Sequence, residues 1–235
     1  MRQVVLDTET TGLEYQSGHR IIEIGCVELV DRKLTGRHYH QYIQPQRDID
    51  AGAQEVHGIT AEFLADKPLF ADIVNDFVEF VSGAELIIHN APFDVGFINH
   101  ELGLLGGELR QIETVCGVLD SLELARKMHP GARNTLDALC QRYDIDNSHR
   151  DLHGALLDSE ILADVFIAMT TGQTNLGLGG DQDGDAYGGE SAEKMRRLVL
   201  GDLQPKVILA DEAALELHKE WEAKSADILG KNVWQ

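Results

Sequence analysis

Asp7 and Glu9 stand two residues apart in the run VVLDTETTG, at the end of an apolar stretch. In an extended chain residues i and i+2 point to one face, so the two carboxylates lie side by side and repel. A proton shared between them, a basic partner or a divalent cation could offset that repulsion. Two further stretches carry candidate chemistry. In HNAPFD, Asp94 sits in the first turn of a helix that follows a strand ending at Asn90. In HGALLDSE, His153 and Asp158 flank the start of the last core helix. Singly these signals are weak. An acid at a helix start is more often a dipole or capping partner, and D-x-E pairs arise by chance in an acidic chain. His38, His40, His57 and His89 read as exposed or locally hydrogen-bonded.

The combination carries more weight than its parts. Four carboxylates from one strand end and two helix starts can converge on one edge of an α/β sheet. Their oxygens are hard ligands suited to magnesium or manganese. No cysteine or paired-histidine set competes, which argues against zinc. Two such ions roughly 3.5–4 Å apart stabilise the attacking and leaving oxygens of a phosphoryl displacement. His153 then suits water activation, since an unperturbed imidazole titrates near about 6.5. A structural calcium site at these acids is the blander alternative, and it leaves His153 without a role.

The elements that must position these groups alternate in type. Val4–Asp7, Arg20–Val30 and Leu34–Ile43 read as three strands, the last two joined by a turn at Asp31–Lys33 and paired antiparallel. A short helix begins near Thr60. Ile73, Val74, Phe77, Val78 and Val81 recur at helical spacing over Phe70–Val81. Glu85–Asn90 is a strand, Pro92 opens a helix, and a fifth strand lies near Thr114–Val118. Helices follow over Leu122–Met128, Thr135–Tyr143 and Gly154–Met169. The expected fold is α/β, a mixed five-stranded sheet flanked by helices.

Beyond Thr171 the composition changes. Gly172–Gly201 contains eight glycines and no apolar periodicity, as a flexible tether does. Apolar residues return over Leu203–Gln235, too few to build a core alone, which suggests a segment that orders on a partner protein. The expected organisation is a catalytic domain over 1–171, a linker over 172–202 and a partner-binding segment over 203–235. No apolar run is long enough for a membrane span, the N-terminus does not read as a signal peptide, and Cys26, Cys116 and Cys140 fit buried thiols of a reduced, cytoplasmic protein. The net charge of −20 excludes a strong basic stripe. Nucleic acid, if it is the substrate, is contacted locally or is held by a partner.

Asp7-x-Glu9, Asn90-x-x-x-Asp94 and His153-x-x-x-x-Asp158 resemble the three motifs of the DEDDh exonuclease family. DTETTG, VHGIT, IHNAPFD, TLDALC and LHGALLDSEILA together resemble, within it, the epsilon-type proofreading subunits of bacterial DNA polymerase III. The resemblance runs from Arg2 to about Thr171. It implies a ribonuclease H-like fold and a 3′→5′ exonuclease releasing 5′-mononucleotides. It implies that Asp7, Glu9 and Asp158 hold the metal beside the attacking water, that Asp7 bridges to a second metal, and that Asp94 holds the second through water. It makes His153 the general base and places Asp7, Glu9, Thr10, His57 and Asp158 against the terminal nucleotide. Phe93 is expected to pack under the site rather than stack on a base.

The resemblance also implies partners. QTNLGL is similar to clamp-binding peptides, with Gln173, Leu176 and Leu178 as anchors. Gly177 replaces a larger residue and no aromatic follows, so the expected clamp contact is weak; the alternative is plain linker. The segment 203–235 occupies the position where the family binds the polymerase alpha subunit, and some members also bind a small theta-like subunit. Partners that hold the duplex would reconcile a DNA substrate with the acidic charge. An RNA-trimming exonuclease of the same superfamily, or a mainly structural bridge between polymerase and clamp, are the alternative functions.

Overall fold

A computed structural model describes residues 1–148 and 152–171 and the single positions 216, 218 and 219. The chain divides into two units, Met1–Leu176 and Gly177–Gln235. The proposed clamp anchors Gln173, Leu176 and Leu178 and the segment 203–235 lie outside the described residues, apart from those three positions.

The described part of the first unit is an α/β domain. Its strands are β1 (Arg2–Thr10), β2 (Ile21–Val30), β3 (Lys33–Tyr42), β4 (Glu85–Ile88) and β5 (Gly117–Asp120). They form one sheet in the order β3-β2-β1-β4-β5. The β1–β2 and β2–β3 pairs are antiparallel, while β4 pairs in parallel with β1 and β5. The described helices are α1 (Ala51–His57), α2 (Ala61–Leu64), α3 (Phe70–Val81), α4 (Ala91–Leu105), α5 (Ser121–Met128), α6 (Leu136–Tyr143) and α7 (Ala155–Thr170).

Both faces of the sheet are covered, which explains why β2 is buried over Ile21–Leu29 rather than alternating. On one face Val4, Leu6, Ile24 and Cys26 pack with Ile73, Phe77 and Val81 of α3 and Phe97 and Ile98 of α4. On the other, Val5, Val27, Leu29 and Ile87 pack against Leu162, Ala163 and Phe166 of α7. All three cysteines are buried and reduced.

Three expectations change at their edges. β1 reaches Thr10 instead of stopping at Asp7, because its pairing with β2 continues to Ile21 with a bulge between Glu9 and Thr10. The fifth strand starts at Gly117, after a 3-10 turn over Ile112–Thr114. A helix at Ala51–His57 precedes the one expected near Thr60; it is closed by Gly58 in the left-handed conformation, the usual glycine exit.

Candidate active site

The alternation of β1 decides which face each site residue reaches. Val5, Asp7 and Glu9 share the face covered by α7, while Leu6 and Thr8 face α4. Asp7 pairs directly with Gly25 of β2, and Glu9 with Glu23. A Cβ on Gly25 would lie 2.2 Å from the backbone of Ala155 and Leu156. Only glycine lets the first turn of α7 sit on the sheet beside Asp7. Ser159, fully buried, donates to the Gly25 carbonyl at 2.9 Å and fixes that approach. The result brings Asp158, in the first turn of α7, beside the acids of β1. Oxygen or nitrogen atoms of Glu9, His153 and Asp158 lie within 4.8 Å of one another.

His153 Nδ1 is 3.2 Å from Asp158 Oδ2, with His153 46% exposed and Asp158 4%. The His153 amide donates to the Val56 carbonyl at the end of α1, so the helix that sequence periodicity missed anchors His153 just ahead of α7. Asp94 stands on the opposite side of β1. Its Oδ1 accepts from Thr8 Oγ1 at 2.7 Å. Burial pushes the Asp94 carboxyl up to about 7, against the lowering effect of the Thr8 hydrogen bond.

Asp7, Glu9, His153 and Asp158 line a cleft of about 740 Å³, whose other wall carries His89, Asn90, Arg126 and Arg133. A second hollow of about 440 Å³ adjoins it at Thr8 and Glu9 and is walled by Leu13, Val56 and Phe93, with Thr10 and His57. Phe93 packs with its ring centre 4.9 Å from that of Phe97 and also lines this hollow. The turn after β1 is held by Thr11, which hydrogen-bonds His19 and the Arg20 amide through its hydroxyl and Asp50 through its carbonyl.

His57 is buried. Its Nδ1 accepts from the Ile59 amide at 3.0 Å, so the ring is neutral with its proton on Nε2; burial holds its pKa low. Sequence reasoning missed Gly25, Ser159 and Glu23. A lone glycine inside an apolar strand was the available signal for the first; nothing local marks the other two.

Among the described residues Glu9, His153 and Asp158 offer carboxylate oxygens and a nitrogen close enough together to hold a cation, and Asp7 lines the same cleft. The exonuclease family model matches residues 4–166. The DNA polymerase III subunit epsilon of Salmonella typhimurium is 51% identical over 222 residues, covering 93% of this chain and 90% of the relative. The subunit epsilon of Escherichia coli is 49% identical with the same coverage. Among solved structures, exonuclease X in complex with 5′ overhanging duplex DNA aligns with a TM-score of 0.54 at 26% identity, over 71% of this chain and 90% of its own. The nuclease domain of 3′hExo, a DEDDh family member bound to rAMP, shares the fold at TM-score 0.59 and 16% identity, over 72% and 90%.

Proposed function

The chain belongs to the exonuclease family and, within it, to the subunit epsilon family of DNA polymerase III, and from that premise we propose how its residues act. It is a metal-dependent 3′→5′ DNA exonuclease that proofreads for a bacterial replicative polymerase. The observation that carries the reading is the convergence of Glu9, His153 and Asp158 at the floor of a cleft that Asp7 also lines.

Asp7, Glu9 and Asp158 would hold divalent ions, with Asp94 supporting a second site from beyond Thr8. We read these as two ions, magnesium or manganese. Bound there, they supply a Lewis acid for the scissile phosphate and lower the pKa of water. His153 accepts the proton of the attacking water. Asp158 orients its ring by accepting a hydrogen bond from Nδ1–H, which leaves the Nε2 lone pair for that task. The hollow lined by Leu13, Val56 and Phe93 suits the terminal base, with Thr10 and His57 at its polar rim. Such a site grips one unstacked nucleotide, so it favours a frayed, mispaired end over a paired one.

The subunit works in association with the polymerase. We assign that contact to 203–235 binding the alpha subunit and a weak clamp contact to Gln173, Leu176 and Leu178. A small theta-like subunit is a further candidate partner, and the cytoplasm, where replication takes place, the compartment. The match to the two relatives covers 93% of this chain and so runs beyond the exonuclease domain, which supports the tail assignments. Among the described residues no helix is long and apolar enough to cross a membrane.

The test is digestion of a 5′-labelled primer with a mispaired 3′ end on its template, with magnesium or manganese, in chelator, and with Asp7→Ala. Matched RNA runs alongside. Stepwise 3′ shortening of DNA that is abolished in chelator and in the variant is expected. Shortening of RNA alone would replace proofreading with RNA trimming.

A further inference from the structure

The wall of the cleft opposite the acids has its own construction. α5 starts at the end of β5, where Asp120 caps it by accepting from the amides of Leu122 and Glu123. Arg126 lies in its last turn. The following loop returns to α6 and carries Arg133. That loop is pinned by Asn134, which is buried. Its side-chain amide donates to the carbonyls of His129 and Ala132, and its Oδ1 accepts from Arg142. Its backbone carbonyl meets His89 Nε2, whose Nδ1 is held by Ser121. Arg142 also donates to the Arg133 carbonyl at 2.8 Å. These hydrogen bonds fix a loop whose exposed product is one guanidinium.

The pairing of charges, taken with the cleft lining, points to the same two residues. Arg2, Arg20, Arg37 and Lys67 each reach a carboxylate within 3.0 Å. The side chains of Arg126 and Arg133 make no hydrogen bond or ion pair among the described residues, although acidic residues outnumber basic ones two to one in this chain, 40 against 20. Both line the cleft that contains Asp7, Glu9 and Asp158. A guanidinium presents a donor fork matched to phosphate oxygens, and a loop fixed in advance loses little entropy on binding.

We propose that Arg126 and Arg133 form a phosphate-binding wall that holds the DNA strand on the 5′ side of the scissile bond. This rests on the reading of the cleft as a 3′-end site. The acid wall engages the phosphate that is cut, and the arginine wall engages the next ones along the strand. It gives an acidic protein a local grip on a strand that its net charge repels.

The full chain tests this with two substrates. One is a single-stranded oligonucleotide; the other is the p-nitrophenyl ester of thymidine 5′-monophosphate, which carries the scissile phosphate and none further 5′. For the double variant Arg126→Ala/Arg133→Ala, KM for the oligonucleotide is expected to rise about tenfold or more with kcat nearly constant. The slope of log kcat/KM against log salt is expected to flatten by about 0.7 for each phosphate that is no longer neutralised. The ratio of oligonucleotide to ester kcat/KM falls accordingly. The double lysine variant keeps most of the salt slope, because its charge remains. Thermal unfolding of each variant reports the fold. Wild-type KM and salt slope in the alanine variant overturn the proposal, and so do equal losses on both substrates. A wild-type protein that hydrolyses neither substrate overturns the reading of the cleft, and the proposal with it.

Discussion

Two sets of buried carboxylates occupy this domain and are treated differently. Glu101, 1% exposed, accepts from Nε and Nη2 of the Arg20 guanidinium at 2.6–2.7 Å and from the Ile21 amide at 3.2 Å. Glu28, 3% exposed, meets Arg2 at 2.7 Å and Arg37 at 3.0 Å. Burial alone would raise the Glu28 pKa, but hydrogen bonds from Arg2 and Thr35 and the charge of Arg37 outweigh it and hold it low. At the cleft Asp158 faces a half-exposed histidine; behind β1 Asp94 faces a neutral threonine and is pushed up to about 7. The first set is finished within the protein and serves the fold. The second, on the function proposed above, would receive a cation from outside and carry the chemistry.

The comparison breaks most visibly at the acids of β1 and α7. Asp7→Asn or Asp158→Asn is expected to lower kcat on DNA by several kcal/mol of transition-state stabilisation, on the order of 10³-fold or more. The metal-free variant should unfold at the same or a higher temperature than the metal-free parent, because one of several crowded charges is gone. A variant that loses activity and melts well below the parent would place these acids in the first set. His153→Ala follows, with a loss of roughly 10²–10⁴-fold. Single-turnover rates on the labelled primer, with thermal unfolding of the same preparation, check it.

The first set reverses the pattern. Arg20→Met strands Glu101 as a buried, unpaired charge and is expected to cost about 3–5 kcal/mol of stability. Below its lowered melting temperature the ester kcat should stay within a few-fold of wild type. Urea unfolding and ester hydrolysis of one preparation check both halves.

Much of this arrangement was legible in the sequence, for a physical reason. Side chains that do chemistry must leave the apolar pattern, so Asp7, Glu9, Asp94, His153 and Asp158 stand out against their elements. Strong periodicity likewise marked α3. What escaped was set by tertiary contact. AGAQEVH, the sequence of α1, has little apolar repeat of its own, yet its end holds the His153 amide. The role of Gly25 depends on a helix about 130 residues later in the chain. Glu23 reads as a polar residue in a strand, and only the register shows it across from Glu9. Alternation alone also does not say that Asp94 approaches from the far face through Thr8.

Asp94 gives the smallest and sharpest test, because its proton tells the two sets apart without any assay of activity. With the metal removed, its folded pKa of about 7 stands above its ordinary value of 3.8. Between those values the unfolded chain releases a proton that the folded chain keeps. Stability of the metal-free protein is therefore expected to fall as pH rises from about 4 to about 7, and to level off above, where both states are ionised. Glu28 acts in the opposite sense: its folded pKa lies below its ordinary value of 4.5, so its contribution is complete above that pH and is lost as pH falls below it. Asp94→Asn should remove the decline above pH 4 and leave the acid limb unchanged. Saturating magnesium should also flatten the decline, since an ion that binds the ionised acids of the folded state favours their charged form. Denaturant midpoints measured across pH, with and without magnesium, decide it. A decline that persists unchanged in Asp94→Asn would show that another group in the fold carries the strain.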